Sequence, residues 1–177
     1  MDNQQERFEI RMAWLAAIIE GEGWVTLIKR RVFQKNKKHT IAYTPNIGMT
    51  NSDKEIVNET RSLFHLLGLK YRFQTRNGKI GSDGILRKTR YEISIASSRD
   101  IKILSQNILP YMIGEKKNRI HKLIEFFKIR SNKGIKGPLS KYGYEEESIY
   151  KELYCFKGKS RSKILNDFTP CPLVSQG

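Results

Sequence analysis

The chain has 177 residues, enough for one domain of ordinary size with a substantial core plus a short appendage. Lysine and arginine number 33 against 18 aspartate and glutamate, giving +15 and a pI near 9.9, so the expected partner is a polyanion, nucleic acid first. No apolar stretch approaches a membrane span, no signal-peptide pattern opens the chain, and Cys155 and Cys171 lack ligand-spaced neighbours; the expectation is an intracellular protein, cytoplasmic or organellar, with free thiols and no zinc.

The first predicted element is a helix whose apolar residues, at about 100° per residue, fall on two opposite faces. Met12, Leu15, Ala16 and Ile19 make one stripe, and Trp14, Ala17, Ile18 and Gly21 the other. A helix apolar on both sides is buried on both sides. One stripe covers the domain's own core, and the small residues of the other let a second helix approach closely. The helix ends on Glu20-Gly21-Glu22-Gly23. A helix C-terminus already carries partial negative charge and unpaired carbonyls, so acids there repel it unless a cation is bound. This end is therefore a candidate metal site.

Residues 24–33 and 40–49 alternate as strands around a basic turn with Lys35, Lys37 and Lys38. Ser52 and Glu55 then have capping-box spacing for a helix that stops at Gly68. A second hairpin is expected from 69–76 and 86–96 around a Gly-rich turn, then a helix over 97–109, a turn at Pro110 and a helix over 116–130. Hairpin connections make the sheet antiparallel, in an α+β domain spanning residues 1–130. Residues 131–177 read as an extension: a Gly/Lys/Ser linker, a short helix over 145–156 and a basic tail with Lys157, Lys159, Arg161 and Lys163. Gly158-Lys159-Ser160 imitates the end of a phosphate-binding loop, but Leu153 stands where that loop needs glycine.

The nine residues from Leu15 through Ala16, Ala17, Ile18, Ile19, Glu20, Gly21 and Glu22 to Gly23 resemble the LAGLIDADG motif of homing endonucleases. The element order over residues 8–130 likewise resembles that family's αββαββα core. The resemblance implies that motif helices from two copies pack at the centre of a saddle-shaped DNA-binding assembly, with their acidic ends holding divalent cations. It makes Glu22 a metal ligand with the Gly21 carbonyl, leaves Glu20 to support the helix junction, and implies Mg2+ or Mn2+, which suit hard oxygen donors. It also places polar groups around the attacking water. Asn51 matches one such position, where it either orients water or caps the next helix, and Lys116 matches another, with Lys117 competing. The chain departs from the family pattern at Ala17, usually glycine, at glutamate for aspartate, and at Glu55, where a basic residue often stands.

Only one copy of the motif is present, so the resemblance implies a homodimer with Trp14, Ala17, Ile18 and Gly21 at its interface. A twofold-symmetric reader takes a palindromic or pseudo-palindromic target. The family function would be cleavage of both strands, leaving short 3′ overhangs, in the service of intron mobility.

Strand alternation separates a buried set (Val25, Leu27, Ile41, Tyr43, Ile47, Met49, Tyr71, Phe73, Tyr91, Ile93 and Ile95) from an exposed one. The exposed set offers Thr26, Arg30, Thr40, Thr44, Asn46, Lys70, Arg72, Gln74, Arg76, Lys88, Arg90 and Glu92, a mix suited to phosphates and base edges in a major groove. Lys29, Arg31 and the basic turn are expected to enlarge that field.

Three other functions compete. A maturase or other non-cleaving binder, with intron RNA as partner, would share charge and fold. A PD-(D/E)xK nuclease is suggested weakly by Glu115-Lys116-Lys117, which lies in a helix with no suitable upstream acid on a strand. A structural ribosomal protein leaves the acidic helix ending without a purpose.

Overall fold

The structure, a computed structural model, describes residues 3–33, 39–134 and 142–155. The basic turn with Lys35, Lys37 and Lys38, residues 135–141 of the linker, the tail with its loop-like Gly158-Lys159-Ser160, the side chain of Thr40 and both cysteine side chains lie outside the described residues.

Helix α1 (Asn3–Glu22) runs directly into β1 (Gly23–Phe33), which pairs with β2 (His39–Asn51) from Gly23↔Met49 to Phe33↔His39. Helix α2 (Lys54–Leu66) follows, then β3 (Arg72–Arg76), β4 (Arg90–Ile95) and α3 (Ser98–Ile108). A 3-10 turn (Leu109–Tyr111) leads to α4 (Glu115–Asn132), and α5 (Tyr144–Cys155) ends the described chain. The sheet has the order β1-β2-β4-β3 with every pair antiparallel, the α+β arrangement expected. Pro45 lies where β2 has only β1 beside it, because pairing to β4 begins at Ile47. A residue without an N–H is tolerated there.

The helices pack on one face of the sheet. Met12, Leu15, Ala16 and Ile19 of α1 are fully buried, together with Val25, Ile47, Met49 and Ile93 from the strands and Ile101, Leu104, Ile120 and Leu123 from α3 and α4. Helix α5 joins the same core through Ile149 and Leu153, and its Tyr150 ring lies 5.3 Å from that of Tyr43.

Several local expectations are corrected. Asp53, not Ser52, caps α2, its carboxylate accepting from the Glu55 N–H at 2.8 Å. The second hairpin is shorter than its alternation suggested, because residues 77–89 form turns held by an isolated Ile80↔Leu86 bridge. Lys88 therefore precedes β4, and Tyr71 precedes β3. Ile41 (42% exposed) and Phe73 (37%) are not buried although they share the core side's parity; the cover over the Phe73 ring is the Arg61 guanidinium of α2, 5.7 Å from its centre. Lys29 shares the parity of Val25 and Leu27, so it faces α5, where its ammonium meets the Glu147 carboxylate at 2.8 Å. It does not belong to the exposed basic face. Arg31 has the same parity.

Candidate active site and nucleic-acid interface

The two acids at the end of α1 have separate surroundings. Glu20 faces the start of α4, whose N-cap residue, Gly114, has no side chain to cap with. One Glu20 oxygen instead accepts from the Lys116 backbone N–H at 3.2 Å, satisfying a donor that the helix leaves unpaired. In return Lys116 donates from Nζ to the Glu20 carbonyl at 2.5 Å and to the Gly21 carbonyl at 3.4 Å. The repulsion expected of an acidic helix ending is thus relieved at Glu20 by a lysine from another helix. Burial pushes the Lys116 ammonium below the usual lysine range, with Arg119 adding to the effect while Glu20 and Glu22 oppose it.

Glu22 has no such partner among the described residues: its side chain is exposed at the α1–β1 junction. Its carboxylate and the Gly21 carbonyl are hard oxygen donors of the type Mg2+ or Mn2+ takes. Among the described residues, no three His, Cys, Asp or Glu side chains cluster as a metal site.

Asn51 ends β2, two residues past the partner of Gly23, and so lies on the same edge of the sheet as the end of α1. Its Oδ1 accepts from the Asp53 N–H at 2.9 Å, which leaves the side-chain NH2 for other partners. Of the two competing lysines, Lys116 is the one in contact with the motif helix. Arg119, not picked out from the sequence, lies beside it: it pairs with Glu115 at 2.5 Å and donates to the Val25 carbonyl at 3.4 Å. On the outer face of α1, Trp14 and Ile18 are half-buried and Ala17 is exposed, and a Cβ built on Gly21 would meet nothing within 4 Å.

The helix-free face of the sheet forms an open groove of about 1160 Å³. Of the residues expected to contact DNA, Arg30, Thr44, Asn46, Lys70, Arg72, Gln74 and Arg76 line it, with Glu92. Glu92 is neutralised by Arg76 at 2.7 Å. Lys88 and Arg90 line a second depression with Arg76, Lys79 and Arg87, farther along the hairpin. Thr26 shares the groove's parity but is only 8% exposed and does not line it, contrary to expectation.

No protein-family model and no curated protein sequence matches the chain. Solved structures do. The homing endonuclease I-CvuI, in complex with its target in the presence of calcium, matches with a TM-score of 0.57 over 89% of this chain and 88% of that one, at 14% identity. The homing endonuclease I-TnaI gives 0.55 over 80% and 86%, at 16% identity. The group I intron-encoded homing endonuclease I-CeuI, complexed with DNA, gives 0.56 over 85% and 69%, at 14% identity. The chain has the homing-endonuclease fold.

Within the homing-endonuclease fold, the groove also contains residues that a search for polar strand positions passes over. Trp24 and Ile28 line it, as do Tyr71 and Arg99. The parity that selects Thr26 and Arg30 also selects Trp24 and Ile28, so the signal was in the alternation and was hidden by their apolar character.

Proposed function

We propose that the chain is a site-specific DNA endonuclease of the LAGLIDADG type. In this reading it acts as a homodimer, holds a long pseudo-palindromic target in its basic groove and hydrolyses both strands with a divalent metal, promoting intron mobility. The observation that carries it is the position of Glu22: an exposed carboxylate, without a hydrogen-bond or ion-pair partner among the described residues, closes the motif helix beside Lys116, at one edge of a sheet whose helix-free face is basic. The fold, shared with homing endonucleases that were solved on DNA, supports the same reading.

The roles follow from the positions. Glu22 and the Gly21 carbonyl would hold Mg2+ or Mn2+, with the rest of the shell coming from the target's phosphate oxygens and the second copy's Glu22. When bound, such an ion lowers the pKa of water and stabilises charge on the phosphate and the leaving oxygen. Lys116 keeps the two helix ends in register through the Glu20 and Gly21 carbonyls and brings positive charge toward the phosphate. The free NH2 of Asn51, on the same edge, orients the attacking water. Groove arginines neutralise phosphates and pair with guanine, while Asn46 and Gln74 reach base edges.

Glu22→Gln tests the reading, since it keeps the side chain's size and removes its charge. With target DNA and Mg2+, double-strand cleavage is expected to fall by at least about 100-fold, while binding in a gel-shift assay persists. Cleavage at the unmodified rate would remove Glu22 from the chemistry. Absence of cleavage in the unmodified protein, with tight and specific RNA or DNA binding, would favour a maturase or another non-cleaving role.

A further inference from the structure

We propose that Trp24 fixes the orientation of the Asn46 amide, so that the groove reads a hydrogen-bond acceptor, never a donor, on the base edge facing this position. The role of Trp24 rests on the DNA-binding function proposed above.

Trp24 is the second residue of β1 and pairs with Gly48, while Thr26 pairs with Asn46. From there the indole reaches diagonally across the ladder, a span that aromatic side chains cover. Gly48 makes room for it: a Cβ at that position would stand 2.6 Å from the indole Cζ2. The indole Nε1 donates to Asn46 Oδ1 at 2.5 Å. The oxygen and nitrogen of an amide are nearly alike in shape, and an isolated Asn turns either one toward a ligand. An indole N–H is a donor only, so the atom facing Trp24 must be the oxygen. The other end of the amide, Nδ2 with its two hydrogens, then faces the groove that both residues line. No described residue accepts from it.

A donor held in this way meets N7 or O6 of guanine, N7 of adenine or O4 of thymine in a major groove, whereas cytosine offers only its N4 amino donor. Cytosine at that position is therefore rejected, and the rejection depends on Trp24, which acts as a positioning residue without touching a base.

Two measurements test this. The first needs no DNA. The chain has two tryptophans, so the 1H–15N spectrum shows two indole resonances. Asn46→Ala is expected to shift one of them upfield and leave that of Trp14 in place; if neither moves, the hydrogen bond is absent and the proposal falls. The second is selection from a randomised DNA library. The unmodified protein is expected to disfavour cytosine by about tenfold or more at one position of each half-site. In Trp24→Phe, cytosine should become acceptable to within about threefold of the other bases, because the amide is free to turn. Asn46→Asp keeps the indole and its bond but presents a second oxygen to the groove, so the preference should invert to cytosine and adenine over guanine and thymine. A base profile unchanged by Trp24→Phe overturns the proposal alone. An unmodified protein that enriches no site overturns both it and the DNA-binding function.

Discussion

On the inner face of α1, Met12, Leu15, Ala16 and Ile19 are fully buried, whereas on the outer face Trp14 and Ile18 are half-buried, Ala17 is exposed and Gly21 borders open space. Trp14 and Ile18 pack against the core over part of their surface, and the apolar surface they leave exposed beside Ala17 and Gly21 is of the kind that contacts between molecules use. The proposed dimer gives that surface a matching partner, a second copy of the same small-residue stripe.

Substitutions on opposite sides should therefore act on different equilibria. Leu15→Ala is expected to destabilise the chain by about 2–5 kcal/mol in urea denaturation, through lost transfer energy and a cavity. A loss under about 1 kcal/mol would show that the inner face is not tightly packed. Ala17→Arg is expected to shift folding stability by no more than about 0.5 kcal/mol, but to convert a dimer into a monomer by light scattering. A protein that is monomeric at micromolar concentration before the substitution would break the comparison on the outer side.

Glu20 and Glu22 repeat the contrast at the end of the same helix. Glu20 is engaged by α4 and Glu22 is not. Glu20→Ala should cost about 1–2 kcal/mol, the loss of a helix cap. Glu22→Ala should leave stability within about 0.5 kcal/mol, as surface substitutions do. Thermal unfolding of the two variants side by side measures the difference. Equal losses would mean that Glu22 too has a structural partner.

Short-range patterns carried much of this in the sequence. The two stripes of α1 follow from helical period, and the long first hairpin follows from alternation almost to its ends. What escaped depends on distance along the chain. The Glu20 contact with Lys116 joins positions 96 residues apart, and no spacing rule finds it. Lys29 has the parity of the core, yet a basic strand residue reads as exposed until α5 brings Glu147 to it. Ile41 and Phe73 alternate as core residues but stay partly exposed, Phe73 with a polar Arg61 of α2 over its ring in place of an apolar side chain. Helix-end electrostatics singled out Glu20 and Glu22 together, and it took the motif resemblance to separate Glu22 from Glu20 and to bring in Asn51 and Lys116 as expected site residues, because each is an ordinary polar residue on its own.

The smallest expected effect concerns acids at the opposite kind of helix end. Glu145, Glu146 and Glu147 occupy the first turn of α5, where the helix dipole favours negative charge, in contrast to Glu22. Burial pushes the Glu146 carboxyl upward, but the Lys133 ammonium at 3.0 Å and the Gly143 N–H at 2.8 Å outweigh it and leave the group below the usual carboxylate range. A carboxyl depressed in the folded state contributes stability above its unfolded pKa, about 4.3 for glutamate. That contribution is lost as pH falls through the folded value. Thermal midpoints should therefore drop on acidification below about pH 4.3, and Glu146→Gln should flatten part of the drop while lowering the midpoint at neutral pH. If Glu146→Gln left the acid limb as steep as before, the Lys133 and Gly143 contacts would not be coupled to folding.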